Sequence, residues 1–341
     1  VCAIDFYYDL PRKLIAQTPV SPRDSSRLLA YDRKDQSIRH LRFCDLPSLL
    51  NPGDALVLNE TKVIPARLLG VKEGSGVPVE ILLLKRNNQT DWEALVRPGR
   101  RLKPGVYCTF GNGELRAEIL STLDQGLRLV RFHYQGVFET LLDELGQMPL
   151  PPYIQTQLRD NSQYQTVYAK RDGSAAAPTA GLHFTPKLLS AIREMGVDVI
   201  PILLHVGLGT FRPVSAENVE DHRMHSEYYE ITQDSADRIN AARKNGRRCV
   251  CVGTTSVRTL ESAADENGTI FPRRGDTDIF ITPGYTFRAT DALVTNFHLP
   301  ESTLLMLVSA LTGREEAMRI YRIAVEQEYR FFSFGDAMMI I

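Results

Sequence analysis

The sequence predicts an α/β domain interrupted by a small antiparallel β-barrel or sandwich. Three observations carry this reading. After residue 153 helical and strand patterns alternate, as layered α/β architectures require. Between residues 62 and 149 short apolar runs recur about every ten to twelve residues, punctuated by Gly, Asn, Asp and Pro, as in compact antiparallel folds. The first 60 residues are too few to fold alone. They are therefore placed with the α/β part, which gives a discontinuous domain of residues 1–60 and 153–341 with residues 61–152 inserted.

The elements follow in order. Residues 28–31 and 38–41 flank a polar turn and read as a hairpin. Residues 45–50 form a helical turn, Pro52-Gly53 breaks the chain, and residues 55–58 form a buried strand. In the insert, strands are expected at 79–84, 92–96, 105–110, 115–120 and 127–133, before a short helix at 138–145 and the stiff Pro149-Leu-Pro-Pro152 connection. Beyond it an amphipathic helix at 186–195 precedes a strand at 197–204, and a helix at 235–244 precedes a strand at 248–252. A helix at 257–264, strands at 278–281 and 292–296, helices at 302–312 and 315–328, and a closing strand at 337–341 complete the series.

Composition excludes several classes. Forty Lys and Arg against 41 Asp and Glu leave a net charge of −1, so the chain is no polybasic coat for nucleic acid or membrane, although a local basic face is compatible with it. The longest strongly apolar run, residues 304–311, is far shorter than a membrane span of about 20 residues. The N-terminus carries no basic stretch followed by an apolar one, so a cytoplasmic protein is expected. The five cysteines, Cys2, Cys44, Cys108, Cys249 and Cys251, form no CxxC pair and read as small buried thiols of a reducing compartment. Cys249 and Cys251 alternate within one strand and share a face.

The sequence contains no phosphate-binding GxxxxGK[ST] loop, no dinucleotide GxGxxG, no HExxH, no zinc spacing and no GxSxG. None of these metal or nucleotide motifs therefore marks a site. What remains is a set of polar residues at the ends of predicted strands, where α/β proteins build their sites. In Ala177-Pro-Thr-Ala-Gly-Leu-His183-Phe-Thr185, a Thr and a His stand at a helix start, where a cap at Thr185 with His183 packed nearby is an equally simple account. His205-Val-Gly207-Leu-Gly209-Thr210-Phe-Arg212 combines close backbone approach with a base, a hydroxyl and a fixed cation. Gly253-Thr254-Thr255-Ser256-Val-Arg258 offers three hydroxyls and free N–H groups at a helix N-terminus, suited to a carboxylate or phosphate or to a plain cap. Asn296-Phe-His298 and Tyr329 to Asp336 add a further His and an Asp.

Those strings, with Asp9-Leu-Pro, Leu14-Ile-Ala-Gln-Thr-Pro19 and Leu56-Val-Leu-Asn59-Glu-Thr-Lys-Val-Ile-Pro-Ala-Arg67, resemble one family in order along essentially the whole chain. The family is the S-adenosylmethionine:tRNA ribosyltransferase-isomerases of queuosine biosynthesis. The departures are small: Phe6-Tyr7-Tyr8 stands where Phe-Asp-Tyr is expected, and Glu60 and Lys62 where Asp and Arg are commoner.

The resemblance implies that the ribosyl part of S-adenosylmethionine is transferred to, and isomerised on, a 7-aminomethyl-7-deazaguanine at the tRNA wobble position, releasing adenine and methionine. It implies S-adenosylmethionine as co-substrate and a tRNA anticodon stem-loop as partner, and neither a metal nor a resident cofactor. The sulfonium acidifies the neighbouring C5′ protons, so the path needs a general base, an acid near adenine and a ligand for the amino-acid carboxylate. Acid–base work is assigned to His183, His205, His298 and Asp336, and substrate binding to Gly207, Gly209, Thr210, Arg212, Thr254, Thr255, Ser256 and Arg258, with Arg258 holding the carboxylate. Six basic against two acidic residues between 85 and 103 mark a basic face on the insert, where Arg97, Arg100, Arg101 and Lys103 are expected to follow tRNA phosphates. A tRNA-binding module without catalysis and an S-adenosylmethionine-dependent tRNA methyltransferase are the alternatives.

Overall fold

The computed structural model describes residues 2–156, 158, 160–207, 219, 222, 224 and 226–341. The chain divides into two compact units. One comprises Val1–Thr61, Pro152–Arg171 and Ala177–Ile341, the other Lys62–Pro151 and Asp172–Ala176.

Along the chain, the hairpin β1 (Arg27–Tyr31) and β2 (Ile38–Arg42) leads through a 3-10 segment, Phe43–Leu49, to β3 (Ala55–Asn59) and β4 (Thr61–Val63). The second unit supplies β5 (Arg67–Lys72), β6 (Pro78–Arg86), β7 (Asp91–Arg97), β8 (Tyr107–Phe110), β9 (Leu115–Thr122), β10 (Arg128–Tyr134), α1 (Phe138–Leu145) and β11 (Gly146–Gln147). β12 (Arg171–Ser174) pairs with β4 as a two-stranded ribbon. Then come α2 (Pro186–Glu194), β13 (Asp198–Leu204), β14 (Glu227–Ile231), α3 (Gln233–Lys244), β15 (Cys249–Val252) and α4 (Gly253–Ala263). The chain closes with β16 (Arg273–Thr277), β17 (Ala292–Asn296), α5 (Thr303–Thr312), α6 (Arg314–Glu326) and β18 (Ala337–Ile340).

The second unit is a closed antiparallel barrel and not a sandwich. Its order β5-β6-β7-β10-β9-β8 returns to β5 through the pairs Val71↔Thr109 and Lys72↔Cys108. Strict alternation drives it: Ile81, Leu83, Ala94, Val96, Ala117, Ile119, Val130 and Phe132 point inward while their neighbours face out. Closure needs Gly70, where a Cβ would stand 2.4 Å from the Thr109 carbonyl oxygen. α1 lays Phe138 against Phe132 and Trp92, at 5.2 and 5.8 Å between ring centroids, and adds to this core.

The first unit carries a nine-stranded mixed sheet, β16-β14-β13-β3-β15-β17-β18-β1-β2. β13, β3, β15 and β17 run parallel, and β18 turns antiparallel to β17. β3, β15, β17 and β18 are buried at every residue, as strands covered on both faces are. On one face Phe43, Leu46, Phe184, Leu188 and Ile192 share a core with Leu56, Leu58, Val250, Val252 and Val294. Burying each such side chain contributes about 1.5–3 kcal/mol. Thr185, Thr232 and Ser302 cap α2, α3 and α5 by accepting the N–H groups of Leu188, Ser235 and Leu305, each at 3.2 Å.

Two expectations are corrected. The strand read at 278–281 lies earlier, at Arg273–Thr277, because this polar edge strand pairs through its backbone with β14 and carries no apolar pattern. The thiols also divide: Cys108, Cys249 and Cys251 are buried, whereas Cys2 and Cys44 are exposed. Among the described residues no helix is long and apolar enough to cross a membrane.

Candidate active site

Because β13, β3, β15 and β17 are parallel, their C-terminal ends share one edge of the sheet, and the loops leaving them converge. β15 turns directly into α4 at Gly253, whose φ of +83° lies in the left-handed region that L side chains avoid. A pocket of about 410 Å³, counting the solvent at its mouth, opens there. It is lined by Ala177, Pro178, Thr179 and Ala180, by Val206, by Gly253, Thr254 and Thr255, by Thr295, Asn296 and His298, and by Leu304.

Asn296 organises one wall. Its Oδ1 accepts the Thr179 hydroxyl at 3.0 Å, and its Nδ2 donates to the Phe332 carbonyl at 3.2 Å and to His183 Nε2 at 3.0 Å. His183 Nδ1 therefore carries the proton and donates it to Ser26 Oγ at 2.8 Å. The ring is fully buried and stacks on Phe43, with centroids 4.9 Å apart. Burial, reinforced by the cations Arg23 and Arg330, holds this imidazole neutral, its pKa well below the ordinary 6.5. Both ring nitrogens of His183 are engaged, and its ring is not part of the pocket lining.

His298 does line the pocket. Its Nε2 pairs with Thr295 Oγ1 at 2.8 Å, and burial pushes its pKa down to about 3. The Tyr8 hydroxyl donates to its carbonyl, and its own N–H donates to Tyr321 Oη at 3.0 Å. His205 follows β13, half-buried, with Nδ1 2.9 Å from Thr61 Oγ1 and its ring stacked near Tyr228. Asn59 locks the same corner by donating to the Leu204 carbonyl at 2.8 Å and accepting the Leu204 N–H at 3.0 Å.

Arg258, the expected carboxylate ligand, is held within the fold. Its guanidinium donates to Glu227 Oε2 and to the carbonyls of Ile279 and Thr277, and both partners of the ion pair are buried. Glu227 Oε1 accepts the Gly207 N–H at 2.8 Å, so the pair fastens the loop after β13 to the middle of α4. Asp336 is likewise engaged: its two carboxylate oxygens accept the N–H groups of Arg27 and Arg330, each at 2.8 Å. Thr254 and Thr255 line the pocket, whereas Ser256 turns its hydroxyl back to the Val252 carbonyl at 2.8 Å. Gly209, Thr210 and Arg212 lie outside the described residues.

On the barrel, Arg97 at the end of β7 and Arg100, Arg101 and Lys103 on the connection from β7 to β8 are all exposed. The connection is held from within. Leu102 is fully buried, and Arg128 donates to the carbonyls of Leu102 at 2.9 Å and Gly99 at 3.0 Å. Arg86, part of the same basic stretch, is engaged by Glu139 at 2.6 Å and by two carbonyls. Glu227 does not stand out in the sequence; Asn59 and Asn296, given no site role there, carry the signal of a polar residue closing an apolar strand. Among the described residues no group of three or more His, Cys, Asp or Glu is placed to hold a metal.

Comparisons with known proteins place the chain in a family. A profile described as "Queuosine biosynthesis protein" matches residues 3–340. A protein of Desulfitobacterium hafniense named S-adenosylmethionine:tRNA ribosyltransferase-isomerase is 60% identical over 337 residues, covering 99% of each chain. A protein of the same name from Acetivibrio thermocellus is 57% identical over 336 residues, 98% of each chain. The crystal structure of an S-adenosylmethionine tRNA ribosyltransferase from Thermotoga maritima is 39% identical, with a TM-score of 0.57 over 99% of this chain and 100% of that one. With its family profile matched almost end to end, the chain belongs to the queuosine biosynthesis protein family.

Proposed function

We propose that this protein transfers and isomerises the ribosyl moiety of S-adenosylmethionine onto 7-aminomethyl-7-deazaguanine at the wobble position of tRNA, giving epoxyqueuosine-tRNA, adenine and methionine. The observation that carries the reading is the convergence of Val206, Gly253 to Thr255, Thr295, Asn296 and His298 on one pocket at the ends of parallel strands. It occurs in a chain 60% identical to named ribosyltransferase-isomerases over its whole length.

The roles we assign are these. His205 and His298 share the acid–base work, His298 from its neutral form, and His183 and Asp336 position their surroundings. Gly207, Gly209, Thr210, Arg212, Thr254 and Thr255 contact S-adenosylmethionine. Residues 1–60 and 153–341 act as one catalytic α/β domain into which residues 61–152 are inserted. On the insert, Arg97, Arg100, Arg101 and Lys103 hold phosphates of the anticodon stem-loop. Such contacts orient tRNA without reading sequence, and a base in a single-stranded loop can be turned out without melting a duplex. The reaction takes place in the cytoplasm and uses no resident cofactor.

Incubation with S-adenosylmethionine and tRNA carrying the 7-aminomethyl base tests this directly, with adenine and methionine as expected products. Release of S-adenosylhomocysteine would make the protein a methyltransferase, and tight tRNA binding without turnover a non-catalytic module. Replacing His298 or His205 by Ala should lower kcat by about 10²–10⁴.

A further inference from the structure

α4 begins without a side-chain cap. Val252 occupies the N-cap position and offers no acceptor, and Ser256 turns its hydroxyl to the Val252 carbonyl. The first N–H groups of this 11-residue helix thus point out of its positive end with no capping side chain among the described residues. A second observation lies beside them. Thr255 is only 9% exposed, and its Oγ1 is buried with no hydrogen-bond partner among the described residues. That oxygen lies 3.5 Å from where a Cβ on Gly253 would stand, and Ala180 Cβ lies 3.6 Å from the same point. The missing Cβ leaves a cradle inside the pocket, between the orphan hydroxyl and Ala180.

We infer that this cradle holds the amino-acid carboxylate of S-adenosylmethionine, bound by the first N–H groups of α4 and by the Thr255 hydroxyl, and not by Arg258. The inference rests on S-adenosylmethionine being the ligand of the pocket, as proposed above. Its sulfonium and ammonium are cations and are repelled by a helix N-terminus; adenine and ribose are neutral; the carboxylate is its one anion. Arg258 does not compete for it, because its guanidinium is engaged by Glu227 and two carbonyls.

Calorimetric titration of the wild type and Thr255→Val with S-adenosylmethionine and with its decarboxylated analogue tests the assignment. The wild type should prefer S-adenosylmethionine. Thr255→Val should weaken S-adenosylmethionine about tenfold or more and leave the decarboxylated analogue unchanged. The unliganded variant should melt no lower than wild type, since it loses no hydrogen bond. Equal weakening of both ligands, or of neither, overturns the inference, as does a lower melting temperature without ligand, which would give the hydroxyl to the fold. Unchanged binding of both ligands with weaker tRNA binding would put a phosphate in the cradle instead. A wild type that binds neither ligand rejects the S-adenosylmethionine reading itself, which separates the two failures.

Discussion

Glu227 grips two parts of the fold at once: one carboxylate oxygen takes the Arg258 guanidinium, and the other takes the Gly207 N–H at 2.8 Å. Glu227 and Arg258 are 31 apart in sequence and both are buried. Removing one partner of such a pair strands the other charge away from water. Arg258→Ala should therefore lower the unfolding free energy by about 3–5 kcal/mol, measured by urea denaturation. Arg258→Lys should recover only part of it, because an ammonium cannot serve the carboxylate and two carbonyls in one plane. Wild-type stability with a selectively raised KM for S-adenosylmethionine would return Arg258 to the ligand.

Asp336 is expected to behave as a clamp. Asp336→Ala leaves the N–H groups of Arg27 and Arg330 without their acceptors, each a loss of about 1–3 kcal/mol. Turnover per folded molecule should stay within severalfold of wild type. A thousandfold fall in kcat in a fully folded variant would show that it takes part in the chemistry.

Acid should weaken the fold through its buried imidazoles. His183 lies well below 6.5 and His298 at about 3, in both cases chiefly because burial disfavours the charged ring. Below pH 6.5 the unfolded chain protonates these rings while the folded chain does not, so the unfolded state binds more protons and stability falls with pH. Their contribution is whole above about pH 6.5 and drains away toward their folded values, each by up to about 1.4 kcal/mol per pH unit. Denaturation midpoints between pH 7.5 and 5 should show His298→Gln with a shallower dependence than wild type; parallel curves would refute the assignment.

Replacing Arg97, Arg100, Arg101 and Lys103 together by Ala should raise the KM for tRNA and spare S-adenosylmethionine binding. Each phosphate left without its cation should reduce the salt dependence of tRNA affinity by about one unit of slope. An unchanged affinity and slope would move tRNA docking elsewhere, to the surface around Arg247-Arg248 and Arg273-Arg274.

Much of this was legible because the strongest signals are local. α1 and β17 fall where their patterns place them, and five of the six barrel strands follow from alternation and turn punctuation. β14 was not foreseen because its inward face includes Glu227 beside Tyr229 and Ile231, so a charge stands where the pattern requires an apolar residue. β5 was missed because half of its surface remains exposed. At the site, the loop after β15 was readable from Gly253 and its hydroxyl trio. The fate of Arg258 was not, since a partner 31 residues away decides whether a guanidinium is offered to a ligand or held by the fold. His183 shows the same limit, because its two partners, Ser26 and Asn296, come from distant segments.

Arg128 holds the β7–β8 connection by its backbone, at the carbonyls of Gly99 and Leu102, and Leu102 anchors it in the barrel core. Shape and charge are thereby assigned to different residues. Mutational drift at Arg97, Arg100, Arg101 or Lys103 meets no folding penalty of the kind that guards Arg128. The loop's electrostatic strength can be retuned, even reversed in sign, while its outline is inherited unchanged.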